Sequence, residues 1–392
     1  MRPRFQLILV AAVVCFTSLA PPAPPVTAQV RRELPRYEGR HYVIHTDLAG
    51  DELREAELRM ARMAEEYHRR TRGFAGQVNQ KLPFYLFRRK EDYLAAGGME
   101  GSAGFFNPGN DTLMAIAGEQ VSADTWHVVQ HEGFHQFARF VIGGRLPIWV
   151  NEGMAEYFAE GLFTGDSFVT GIVPPARLAR IKKLVRAKQY RPFRQMLPLA
   201  HADWNAQLTQ ANYDQAWAMV HFLAHAEGGR YQEPFVNFMR AIGRGQPWER
   251  AWLDHFGPAD GFEARWADWW NALEADASVA LYARATVQTL TSTLARAAAQ
   301  RQRFRSFEDL SAAARDGTLK IDERDWLPPA LLKEAFEEAS KLRKRGATLA
   351  LSPSGAAQTV ACTLKDGTRL VGKFTLSGGR VTEVTVTSNA GK

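Results

Sequence analysis

Cysteine is scarce in this chain: Cys15 and Cys362 are the two among 392 residues. That scarcity excludes a disulfide scaffold, so the fold has to be held by an apolar core. Long apolar runs are scarce as well. The run Phe5–Ala20 is short for a bilayer, and beyond it none reaches the length of a membrane span. Internal repeats and long low-complexity tracts are missing, which removes solenoids and disordered arrays from consideration. Charge of one sign is nowhere concentrated. The net charge is +7, yet basic residues are interleaved with acids, as in RRELPRYEGR and RRKEDY. Without a basic stripe to neutralise phosphates, no nucleic-acid partner is expected.

What is present is an ordinary globular composition, 46% hydrophobic and 23% charged. The length suits one sizeable catalytic domain with an appendage, or two modest domains. The first residues stand apart: a basic start at Met1–Arg4, the apolar run, then PPAPPVTAQV with Val26-Thr27-Ala28 as a small-residue cleavage site. This order predicts a secretory leader at residues 1–28, cut after Ala28, and an exported protein of the periplasm or extracellular space with no stable membrane insertion. Cleavage would remove Cys15, leaving Cys362 alone, and would remove Arg2 and Arg4, taking the net charge from +7 to +5.

Periodicity then divides the chain. HYVIHTD (41–47) and LPFYLFR (82–88) alternate as strands, and residues 51–72 carry apolar positions at helical spacing up to Gly73. GFFNPGNDTLMAI (104–116) has the form of a hairpin around Asn107–Asn110. From Ser122 to about Arg301 the pattern is helical, punctuated by Gly143-Gly144, Pro174-Pro175 and Gly228-Gly229. A further helix is expected at about 328–345. QTVACTL, RLVGKFTL and RVTEVTVT then predict a three-stranded meander. The fold class expected is α+β: a small mixed sheet lobe at about 36–120, a helical lobe at about 121–285, a helical extension at 286–346 and a small β module at 347–392.

The chemistry lies in WHVVQHEGFHQFARF (126–140). Positions i and i+4 of a helix stack on one face, so His131 and His135 can aim two imidazoles at one point. Glu132, one step around, can reach a water held there. Two neutral nitrogens, an open coordination position and a carboxylate to take a proton are what zinc-dependent hydrolysis requires. Catalytic zinc generally has three protein ligands. Glu152, in LPIWVNEGMAEYF after a spacer of sixteen residues from His135, can be the third. Glu156 lies one turn further along the same face, where it could accept a ring N–H from a ligand histidine.

HEGFH followed by WVNEGMAEYF resembles the HExxH…NEG arrangement of the gluzincin metallopeptidases, distantly the aminopeptidase-N-like branch and more closely the bacterial secreted peptidase MA-like proteins. The resemblance covers about 36–281 and is sharpest at 126–158. It implies a zincin-like catalytic domain with Zn²⁺ on His131, His135 and Glu152, Glu132 as general base, and a peptide or protein substrate. Tyr213 is the candidate donor to the oxyanion, at a distance downstream similar to that of the family's tyrosine. GGMEG (97–101) resembles the family's GxMEN element but ends in glycine, so it is read as a loop before the hairpin.

The rival expectations are a non-catalytic envelope or binding protein on the same scaffold, and a zinc amidohydrolase acting on a non-peptide substrate. His127 falls one turn before His131, too far along the helix to share one ion with both other histidines. His221 and His225 repeat the i,i+4 spacing without the glutamate and are assigned to packing or to the edge of a cleft. The strand 104–106 is expected to pair with an extended peptide.

Overall fold

The computed structural model describes residues 33–143, 146–352 and 358–389, so the expected leader lies outside the described residues. The chain forms two compact units. One comprises residues up to Glu160 together with Pro174–Glu274, and the other Gly161–Val173 with Ala275 onward.

The first unit opens with a five-stranded mixed sheet, in the order β1 (Arg36–Glu38), β2 (Tyr42–Thr46), β3 (Leu82–Phe87), β5 (Thr112–Ile116), β4 (Gly104–Asn107). The two inner pairings are parallel and the two outer ones antiparallel. Alternation in β2 sends Tyr42, Ile44 and Thr46 inward, while His45 stacks on Tyr85 on the other face, with ring centroids 4.3 Å apart. Helix α1 (Gly50–Thr71) makes the crossover from β2 to β3, and a short helix α2 (Lys90–Ala95) precedes the hairpin. The sheet lobe therefore has two helices and an extra edge strand, β1, compared with the sequence reading. Both additions are too short for periodicity to reveal.

Helix α3 (Ala123–Val141) starts at a capping box, Ser122 Oγ accepting from Thr125 N at 3.2 Å. It ends where Gly143 takes φ +90° and returns its N–H to the Ala138 carbonyl. Gln136 Nε2 donates to the carbonyls of Pro83 and Asp111, at 2.8 and 2.9 Å, tying α3 to the sheet. Gln130 Nε2 donates to the last carbonyls of α4 (Ile148–Ala159), at Phe158 and Ala159, both 3.0 Å. Two glutamines thus fix the rotation of α3 between its neighbours.

The remaining helices of this unit are α5 (Pro175–Arg186), α6 (Phe193–Met196), α7 (His201–Ala206), α8 (Gln210–His225), α9 (Gln232–Gly243), α10 (Trp248–Phe256) and α11 (Ala259–Ala272). Pro175 opens α5, and Glu227 and Gly228, both at positive φ, break the chain between α8 and α9. Helix α8 lies against α4 at a close approach. A Cβ on Gly153 would stand 2.4 Å from the Ala216 carbonyl oxygen, so only glycine fits there. Trp149, Trp252, Phe238, Phe262 and Trp266 build the aromatic core of the helical layer.

The second unit holds a hairpin, β6 (Leu162–Phe163) and β7 (Phe168–Val169), within the stretch read from sequence as helical. It packs through Val169 and Ile172 on α12 (Val279–Ala299), and Asp166 pairs with the buried Arg296 of that helix. Helix α13 (Phe307–Arg315) and helix α14 (Pro329–Lys344) follow. The tail has four strands rather than three, in the antiparallel order β11 (Arg380–Asn389), β10 (Arg369–Ser377), β9 (Val360–Thr363), β8 (Thr348–Leu351). Strand β8 carries a weak sequence signal because its four residues follow a charged helix end, yet its alternation delivers Leu349 and Leu351 to the core. That core joins α12, α13 and α14 to the sheet and contains Cys362, so the helical extension and the β module are one body. Residue 285, the expected end of the helical lobe, falls inside α12. The contacts instead break between Glu274 and Ala275.

Candidate metal centre

The side chains of α3 and α4 converge in the buried layer between the sheet and the outer helices of the first unit. His131, Glu132, His135 and Glu152 are each no more than 4% exposed. The Nε2 atoms of His131 and His135 lie 3.1 Å apart, and each is 3.5 Å from Oε2 of Glu152. Among the described residues no hydrogen-bond donor satisfies that oxygen. A buried carboxylate oxygen without a donor, facing two ring nitrogens, is costly unless a cation shares the space. Ligands at about 2.1 Å from a tetrahedral ion stand roughly 3.4 Å from one another, which matches the triangle. The residues fit: His131, His135 and Glu152 can hold a metal ion, and no other such cluster occurs among the described residues.

The surrounding groups differ around the two histidines. Glu156 Oε1 lies 3.2 Å from Nδ1 of His131, so the ring the sequence could not specify is His131. Neither Nδ1 completes a hydrogen bond of good geometry among the described residues, so Glu156 meets His131 through proximity and charge. Burial alone would depress the His131 pKa, but Glu152 and Glu156 hold it well above its ordinary value. Glu152 is the reverse: burial pulls its pKa up, yet the two imidazoles bring it down to about 2. Glu156 is held well below the usual carboxylate range by Arg177, against the effect of burial.

Glu132 adjoins the cluster and accepts the Phe106 backbone N–H at 2.9 Å. Its pKa is raised, because burial outweighs the pull of His131 and His135. The sequence reading proposed strand 104–106 as a peptide-pairing edge. β4 is indeed outermost, but Ser102 Oγ already engages the N–H and carbonyl of Gly104, and Glu132 takes the N–H of Phe106. An incoming strand would have to displace these contacts.

Tyr213 sits in the first turns of α8, its ring centroid 6.3 Å from that of His131. Burial, and then the Glu152 carboxylate, push its hydroxyl pKa far up, so it stays a proton donor. His127 lies one turn back on α3 and stands outside the cluster. The pair His221 and His225 is embedded among Trp217, Trp269, Trp270 and Tyr157, and His225 Nε2 meets the Tyr157 hydroxyl at 2.9 Å. Two residues near the centre were not singled out from sequence. His201, opening α7, lies within electrostatic reach of Glu152 and His135. Arg177, on α5, touches Glu156. No local pattern marks either one, because each arrives from a separate helix.

Residues 126–249 match the family described as Protein of unknown function (DUF1570). The matched span begins in α3 and takes in His131, Glu132, His135, Glu152, Glu156, Arg177 and Tyr213, every side chain of the centre. A comparison with curated proteins finds no match to the chain.

Proposed function

We propose that the protein is an exported zinc-dependent metallopeptidase with a zincin-like catalytic domain, akin to the gluzincins. The observation that carries this reading is the triangle of His131, His135 and Glu152 with the Glu132 carboxylate beside it. Two imidazoles and one carboxylate are a donor set of catalytic zinc, and they leave a fourth position open. A zinc ion held by these three residues would supply an activated water and a Lewis acid for the scissile carbonyl. Glu132 accepts the proton of that water and hands it to the leaving amine, a role suited by its raised pKa. Glu156 fixes the His131 tautomer so that Nε2 faces the ion. Tyr213, protonated and beside His131, donates to the developing oxyanion.

Burial supports a second reading. The four central side chains are almost wholly covered, and closed sites are typical of structural zinc. On that reading the ion stabilises the fold of an envelope or binding protein without turnover. Metal analysis and a peptide library separate the two. The peptidase reading expects about one zinc per chain and cleavage that a chelator stops. Zinc without peptide cleavage leaves the structural role or hydrolysis of a non-peptide substrate, and absence of zinc removes all of these readings.

A further inference from the structure

Arg177 is buried in the first turns of α5, with carboxylates on three sides. Nε donates to Asp214 Oδ1 at 2.9 Å, Nη1 to Glu160 Oε1 at 2.8 Å, and Nη2 to Glu156 Oε2. The guanidinium carbon lies 4.9 Å from the Trp217 ring centroid. Asp214 is also bound by Arg180, at 2.6 and 2.9 Å. Glu156 divides its two oxygens: Oε2 faces Arg177 and Oε1 faces His131 Nδ1 at 3.2 Å. Three carboxylates hold the guanidinium in place, so its contact with Glu156 Oε2 restricts that carboxylate and favours the direction in which Oε1 meets His131.

We propose that Arg177 is the positioning residue of the metal centre, aiming Glu156 at His131 and so presenting His131 Nε2 to the ion. The inference rests on the reading of His131, His135 and Glu152 as a metal site. Arg177 touches none of the three, so it acts only through Glu156. Its other partners tie the same guanidinium to the end of α4 and to Asp214, the residue after Tyr213 on α8. A lysine cannot replace it, because a single ammonium lacks the fork that reaches three carboxylates at fixed angles.

The test is a double-mutant cycle read by zinc affinity, from competition with a chelating dye, and by the visible absorption spectrum of the Co²⁺-substituted protein. Arg177→Met and Glu156→Gln should each weaken zinc binding, on the order of 10–100-fold as for other residues that orient a ligand histidine. Acting along one path, they should not add: the double variant should bind within about twofold of Glu156→Gln alone. Glu66→Gln removes a buried charge from α1, where it pairs with Arg69 and Arg70 and meets neither Arg177 nor Glu156, and it should leave affinity and the cobalt spectrum unchanged. If Arg177→Met does not fold, Arg177→Lys in the same cycle should give a smaller loss that again vanishes when Glu156 is already glutamine. Full zinc affinity in folded Arg177→Met, additivity with Glu156→Gln, or an equal loss in Glu66→Gln would each overturn the proposal while leaving the metal site intact. A wild-type protein that binds neither zinc nor cobalt would overturn both.

Discussion

Replacing Gly153 with alanine tests how closely the centre depends on helix packing. The added Cβ would lie 2.4 Å from the Ala216 carbonyl oxygen and 2.7 Å from Val220 Cγ2, where ordinary contact begins at 3.4 Å. The nearest atom is backbone, so no rotamer change relieves it. α4 and α8 would have to separate by about 1 Å, and overpacking of that kind costs roughly 1–3 kcal/mol. The gain of roughly 1 kcal/mol from putting alanine for glycine inside a helix does not offset it. Glu152 is the neighbouring residue, and a shift of about 1 Å greatly exceeds the ±0.2 Å tolerance of a metal–ligand bond. Gly153→Ala should therefore lower the urea midpoint and weaken zinc retention together. Gly261→Ala is the control. It lies in α11 with no atom within 4 Å of its added Cβ, so it should gain roughly 0.4–1 kcal/mol with metal binding unchanged. If both variants matched in midpoint and zinc content, the close approach of α4 and α8 would not constrain the site.

Glu132→Gln should retain zinc and lose hydrolysis by on the order of 10²–10⁴-fold; undiminished turnover would remove Glu132 as base. Glu152→Ala should strip the metal, whereas Glu156→Ala should weaken it on the order of 10–100-fold. The reverse order in equilibrium dialysis would exchange their roles. His225 offers a pH test away from the ligands. Burial, and then Arg70, push its pKa down to about 4. The unfolded chain, near 6.5, thus binds the extra proton first as pH falls. Its stabilising contribution is complete above pH 6.5 and is lost between there and pH 4, amounting to about 2 kcal/mol by pH 5. Urea unfolding of His225→Gln should show a shallower loss between pH 7 and 5 than the wild type, and equal slopes would refute the assignment.

Much of the molecule was legible along the chain, because the relevant signals are local. The i,i+4 spacing of His131 and His135 depends only on helix geometry, and Pro175 and Gly228 act on their own backbone. Strands such as Tyr42–Thr46 declared themselves by alternation. Segments of two to four residues, such as β6, β7 and β8, did not, since a pattern needs length before it departs from chance. The sequence by itself determined that two imidazoles share one face of one helix with a carboxylate one step around it, and it offered Glu152 as a third donor. Tertiary structure alone decided that Glu156 faces His131 rather than His135, that Phe106 lends a backbone N–H to Glu132, and that Arg177 closes over Glu156. Those contacts join residues many positions apart through the packing of α3, α4, α5 and β4. Their geometry follows from how side chains fill the space between elements, which no spacing along one element encodes.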